Sequence, residues 1–337
     1  MLKEALLYEK LEENRVFCHL CSHRCRIGDG KFGVCNVREN RGGTLYTHVY
    51  GTLIAQNVDP IEKKPLYHFL PGSTSYSIAT VGCNFQCDFC QNWQISQVTE
   101  AERLGVRARE VKPEDVVRQA KAAGSRSISY TYTEPTIYFE FAHDCSKIAR
   151  REGLYNVFVT NGYMTEEMLR MIHPCLDAAN VDLKSFRDDF YKRLCKARLQ
   201  PVLDSIRTMK KMGIWIEVTT LLVPGRNDDE AELKDIAAYL ASVNVSIPWH
   251  ISRFHPQYRM DHVESTPMNI LNRAYDIGRE AGLRYVYLGN VPGKQNHTYC
   301  YKCQTLLIER GGFSVTAYRV SGGQCPKCGT VQDGVGL

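Results

Sequence analysis

Between residues 76 and 290 the chain alternates between two hydrophobic patterns. Short β-rich runs at 77–81, 127–132, 156–160, 178–183, 214–223 and 247–253 predict strands. The stretches between them, 113–123, 136–151, 165–173, 202–212, 228–242 and 267–281, predict helices. The first of these helices opens on Pro113, carries Glu114 and Asp115 in its first turn and stops at Gly124, which suits proline, acidic residues and glycine in turn. Six βα units predict a parallel sheet curled into a partial barrel, short of the eight of a full TIM barrel. A further strand at 284–288 fits the same pattern. The flanks differ: 1–75 is loop-rich and cysteine-bearing, and 296–337 is a short cysteine tail with glycines at its turns. The expected domains are therefore 1–75, 76–292 and 296–337.

Composition narrows the class. The chain has 337 residues, of which 44% are apolar and 23% charged, enough for one large α/β domain with small attachments. A net charge of +5, with no block of like charges, is too weak to imply nucleic acid. No apolar run reaches the ~18 residues of a membrane span, and the charged N-terminus lacks the apolar core of a signal peptide. A cytoplasmic protein without a membrane partner is expected. In that compartment the 14 cysteines point to metal or catalysis rather than disulfides.

Eleven of them form three sets. Cys83, Cys87 and Cys90 make a CxxxCxxC run directly after the first core strand. Three thiolates so placed can wrap one face of a [4Fe–4S] cube and leave its fourth iron open to a substrate. Zinc or three structural thiols fit less well, since zinc normally takes four ligands. Cys300, Cys303, Cys325 and Cys328 form two CxxC knuckles with the spacing of a zinc ribbon. Zinc is favoured there, with an auxiliary iron–sulfur cluster or rubredoxin-like iron as the alternative. Cys18, Cys21, Cys25 and Cys35 suit zinc or a second, additional Fe–S cluster, with His19 and His23 as spare ligands. Cys145, Cys175 and Cys195 read as ordinary thiols, although Cys195 closely follows the Asp182–Lys184 segment.

The CxxxCxxC run after the first strand of a βα barrel resembles the signature of the radical S-adenosylmethionine (SAM) superfamily. That resemblance implies an α/β fold, a partial (β/α)6 TIM-like barrel of the radical SAM type, here with an N-terminal Cys-rich segment and a C-terminal zinc-ribbon-like tail. It implies a [4Fe–4S] cluster whose free iron chelates SAM, and reductive cleavage to a 5′-deoxyadenosyl radical that abstracts hydrogen from a substrate. It also implies a reducing electron donor such as flavodoxin or ferredoxin. Carried over residue by residue, Glu134 matches the glutamate of a Gly-Gly-Glu motif that binds the SAM amino group, with Tyr132 and Thr133 in place of the glycines. Asp182 and Lys184 match a DLK motif that contacts ribose and carboxylate, His255 a SAM-contacting histidine with His250 nearby, and Asn161 a TNG turn facing the SAM pocket.

Further motifs, Asp59 to Phe69, Trp249 to Pro256, Tyr287 to Gly293 and the CPxCG tail, look like the radical SAM component of the AmmeMemoRadiSam system, a group similar to pyruvate formate-lyase activating enzymes. That likeness implies Memo-like and AMMECR-type partner proteins. Two enzymatic expectations follow: hydrogen abstraction from a small-molecule or peptide substrate, or activation of a glycyl-radical enzyme. A non-catalytic metal or RNA-binding module is a third, disfavoured by the weak charge and the intact three-cysteine run.

Overall fold

The computed structural model describes residues 1–97, 109–291 and 293–337. Residues 98–108 and Pro292, the last residue of the expected core domain and part of the 287–293 motif, lie outside the described residues. Among the described residues the centre of the fold is an 8-stranded sheet. Its strands are β1 (Ala55–Pro60), β2 (Thr74–Ala79), β3 (Ser127–Tyr130), β4 (Tyr155–Thr160), β5 (Ala178–Asp182), β6 (Trp215–Leu222), β7 (Trp249–Arg253) and β8 (Val286–Gly289). From β2 to β8 each strand pairs in parallel with the next. All six strands expected from the sequence are present, and the extra run at 284–288 is the seventh parallel strand. The sheet ends at β8 and β1 without closing, an open barrel.

Six helices return the chain between parallel strands: α1 (Pro113–Ala122), α2 (Phe139–Arg151), α3 (Glu166–Ile172), α4 (Gln200–Lys211), α5 (Glu230–Val243) and α6 (Met268–Glu280). Their starts follow from local chemistry. The Thr165 hydroxyl accepts from Met168 N at the head of α3, and Asp229 accepts from Ala231 N and Glu232 N at the head of α5. Each helix buries one apolar stripe against the sheet, as Val116, Val117 and Ala120 do for α1.

The first region is not separate from the barrel. Its strand β1 pairs antiparallel with β2 and extends the sheet. Its next residues, 61–70, close the barrel's N-terminal end, where Ile61, Leu66, Phe69 and Leu70 pack against Val157 and Ala178. Glu217 of β6 anchors this strap. It is fully buried and accepts from Tyr67 N (3.0 Å), His68 N (2.8 Å), Trp215 Nε1 (3.1 Å) and the His250 imidazole (2.6 Å). The tail forms a hairpin, β9 (Leu306–Gly311) and β10 (Ser314–Tyr318). It docks on the strap and on β8: His68 Nδ1 donates to Asp333 O (2.7 Å), and Arg284 pairs with Asp333 (2.7 Å).

Candidate functional site at the open end of the barrel

The site begins where β2 ends. At Gly82 the chain takes φ +97°, and a Cβ there would stand 2.8 Å from Val37 Cγ1 and 3.2 Å from the Cys35 carbonyl oxygen. Only glycine lets the loop lie this close to the N-terminal module. The loop then presents Cys83, Cys87 and Cys90 to one cavity of about 530 Å³. Its shape is held by local bonds: Phe85 N donates to Cys83 Sγ (3.3 Å), and Asn161 Nδ2 donates to Asn84 Oδ1 (2.7 Å). Burial and the nearby Glu134 carboxylate push the Cys83 thiol well up. Cys87 is held low instead, first by a hydrogen bond from Cys195 and then by the Lys184 charge. The sequence placed Cys195 near this segment without giving it a partner; the π-turn at Tyr191–Cys195 is what folds it back onto Cys87.

The rim comes from the ends of the next strands. Glu134, Asn161, Asp182 and Lys184, from the loops or ends of β3, β4 and β5, all line the same cavity. Tyr132, where the related motif has glycine, adopts φ +63°. The tyrosine holds this left-handed backbone with its hydroxyl tied to Asp59 and its carbonyl accepting from Asn92 Nδ2 (2.8 Å). Glu134 is buried and receives Thr136 N (3.1 Å), Thr136 Oγ1 (2.5 Å), Thr160 Oγ1 (2.7 Å) and Asn161 N (2.8 Å). Three of these donors share Oε1 and one reaches Oε2, so Glu134 fixes the β3 and β4 loops to each other while Oε2 keeps an acceptor position. Lys184 Nζ pairs with Asp182 (2.9 Å) and sits over the Phe89 ring. Burial opposes its charge, but Asp182 and the Cys87 and Cys195 sulfurs outweigh it and hold the ammonium well above its ordinary range.

His255 stands apart from the SAM-type cavity expected for it. It is exposed, with Nδ1 3.3 Å from Ser265 Oγ, two residues beyond the end of β7 at Arg253. It lines a second cavity of about 970 Å³. This cavity shares Lys63, Gln91, Ser252, Asn290 and Phe313 with the first, so the two are contiguous. His250, Tyr67 and Arg310 also face it. Arg310 is buried over the Tyr67 ring (4.2 Å) beside Glu62 (3.5 Å). The sequence offered no sign that the tail would reach this far; the β9–β10 turn carries Phe313 to the cavity shared by both.

The three cysteine sets differ in spread. Cys300 Sγ lies 3.7 Å from Cys328 Sγ, and Cys303 Sγ 3.6 Å from Cys325 Sγ. All four sulfurs fall within 4.8 Å of one another and can hold a metal ion. A tetrahedron with metal–sulfur bonds of ~2.3 Å has edges of about 3.8 Å, which is the spacing seen. Hydroxyls of Thr305 and Thr330, each 3.2 Å from Cys303 and Cys328, hold those two thiols low. Among the described residues this is the one such close group. The central set is wider, as one thiolate for each of three separate irons requires.

An open α/β barrel whose rim aims three loop thiols and a lysine–aspartate pair into one cavity is the architecture of a metallocluster enzyme. The sequence profile of the radical SAM superfamily matches residues 77–237. The chain belongs to that superfamily. An uncharacterized protein of Methanocaldococcus jannaschii is 46% identical over 97% of this chain and 98% of its own. The pyruvate formate-lyase 1-activating enzyme of Escherichia coli K12 is 19% identical over 61% of this chain and 89% of its own. A radical SAM methyltransferase from Sphaerobacter thermophilus shares the fold, with TM-score 0.50 and 18% identity over 65% of this chain and 67% of that one. Membership implies a [4Fe–4S] cluster and SAM. The wide, loop-borne sulfurs and the cavity beside them fit such a pair. Among the described residues no helix is long and apolar enough to cross a membrane.

Proposed function

We propose that Cys83, Cys87 and Cys90 hold a [4Fe–4S] cluster, that SAM occupies the adjoining 530 Å³ cavity, and that the substrate is a small molecule or peptide in the 970 Å³ cavity next to it. The observation that carries this reading is the convergence of the three thiols with Asn161, Asp182 and Lys184 on one cavity that opens into a second. When bound, the cluster supplies the electron that cleaves SAM to methionine and a 5′-deoxyadenosyl radical. The chain does the rest. Lys184 offers a cation to the SAM carboxylate, and Asp182 offers acceptors to the ribose hydroxyls. Asn161 and Glu134 lock the loops that shape the cavity, and Glu134 Oε2, which receives one donor, keeps an acceptor position for the SAM amino group. His255 belongs with the substrate cavity in this reading. Zinc in the tail fixes the β9–β10 turn, and so Phe313, over the junction of the cavities.

The test is anaerobic incubation of the reconstituted protein with SAM and a flavodoxin or ferredoxin donor. It should release 5′-deoxyadenosine, and the Cys87→Ala variant should not. No 5′-deoxyadenosine from a fully loaded protein overturns the reading. The similarity to an activating enzyme favours one second reading, action on a glycyl-radical protein. There the yield would rise only when such a protein is added, not with small molecules or with Memo-like and AMMECR-type partners.

A further inference from the structure

The N-terminal cysteines have no part in the reaction described so far, yet they are brought together, Cys18 buried and Cys21, Cys25 and Cys35 half-buried. Cys18 lies in a strand, and its amide donates to Cys25 O (2.9 Å). Cys18, Cys25 and Cys35 are the electrostatic neighbours of the half-buried Cys21. The set is nevertheless open: among the described residues no three of these sulfurs gather within 4.8 Å, as the tail sulfurs do. A single zinc ion demands the tight spacing. A cube, which takes each thiolate on a different corner iron, demands the wide one. The same structure therefore draws one tight set and two wide ones.

Two further observations point to a redox group. Arg38, 1% exposed, donates from Nη1 to Cys18 Sγ (3.3 Å) and is paired with buried Glu140. Its Nε is buried without a partner. A hydrogen-bonding cation against a ligand sulfur stabilises the thiolate and the extra negative charge of a reduced cluster. The module also abuts the central site. The Cys35 carbonyl packs on Gly82, the residue before Cys83, and His23 Nε2 donates to Asn84 O (2.7 Å), the residue after it.

We propose that Cys18, Cys21, Cys25 and Cys35 hold a second [4Fe–4S] cluster, which relays one electron to the cluster site at Cys83, Cys87 and Cys90. The electron enters from a flavodoxin- or ferredoxin-class donor, reduces the N-terminal cluster from the 2+ to the 1+ state, and leaves for the central one. No proton or covalent bond moves. The site stands without the proposed function; the relay rests on it.

The experiment uses the full chain reconstituted with iron and sulfide. The triple variant Cys83→Ala, Cys87→Ala, Cys90→Ala should keep about half of the wild-type iron and sulfide and give, after dithionite, a [4Fe–4S] EPR signal that SAM does not alter. Loss of all iron, or zinc in its place, overturns the site. The Cys21→Ala, Cys25→Ala variant should keep the other half and its SAM response, and be reduced by dithionite normally but by reduced flavodoxin at least tenfold more slowly. Unchanged reduction by flavodoxin overturns the relay. If the second variant misfolds by circular dichroism, Arg38→Lys replaces it, with a lowered potential of the SAM-insensitive signal expected and an unchanged one counting against the site. A wild-type protein with both clusters and no SAM response at either would sink the proposed function and leave the second site intact.

Discussion

Replacing Glu217 with alanine tests whether the strap at 61–70 is held as the structure indicates. The carboxylate is fully buried and serves four donors: the Tyr67 and His68 amides, the Trp215 indole and the His250 imidazole. Each donor left buried without an acceptor costs about 1–3 kcal/mol. They relax together, so the loss resembles that of breaking one buried pair, about 3–5 kcal/mol. At about 2 °C per kcal/mol for a chain of this size, Glu217→Ala should lower the melting temperature by about 8 °C. Glu217→Gln, which keeps one acceptor oxygen, should lower it by about half as much. Scanning calorimetry of wild type and variants at one scan rate measures this, since unfolding of a cluster protein is not reversible. The strap carries Lys63 and Lys64 to the site cavity, so SAM affinity should fall with the melting temperature. A shift under about 2 °C for the alanine variant would refute the reasoning.

Acid stability should be set by His68. Burial holds this imidazole down to about 4: Nδ1 donates to Asp333 O, and Nε2 accepts from the Tyr287 hydroxyl. Above the unfolded value near 6.5 both states are neutral; below it the unfolded chain binds the proton first, so about 3 kcal/mol of stability is lost as pH falls from 6.5 to 4. Glu217, held low, loses its contribution only below its ordinary value of 4.5, so His68→Asn should flatten the melting profile above that pH. Lys184→Met should weaken SAM binding about 10- to 100-fold in equilibrium dialysis, the worth of one charge-assisted bond, with iron content unchanged. Gly82→Ala forces a Cβ within 2.8 Å of Val37 at φ +97°, costing at least about 1–2 kcal/mol, and should reduce the SAM-responsive EPR amplitude per protein. Cys325→Ser with Cys328→Ser should remove one zinc by elemental analysis and expose the tail to limited proteolysis, because so short a segment depends on its ion to fold; retained zinc would reassign the tail.

The parallel strands were legible because each is a short apolar run between turn signals, and the helices because their caps are local; both kinds of signal lie within a few residues. What the sequence hid was long-range. The strand at Ala55–Pro60 shows no hydrophobic alternation, having a largely exposed, polar edge. The strap is held by a glutamate some 150 residues away, and Phe313 reaches the cavity only through the docking of the tail. At the site, cysteine spacing pointed to the thiols and the family resemblance to Glu134, Asn161, Asp182 and Lys184, all of which line one cavity, but neither showed what they do to each other. Glu134 was readable as an acceptor for an ammonium group; that it also ties two loops together, with three donors on Oε1 and one on Oε2, depends on how the β3 and β4 loops meet. His255 lines the neighbouring cavity rather than the one that holds the thiols, a placement that its position after a strand does not specify. The cysteines show the same division. Spacing along the chain favours a cluster at the central CxxxCxxC run and zinc at the paired CxxC knuckles but leaves the N-terminal set open between the two, whereas the group held depends on the distance between sulfurs in space. The fold separates a set drawn within 4.8 Å from two held open, and for the N-terminal set, which the motif left undecided, it is that difference that favours a cluster over one ion.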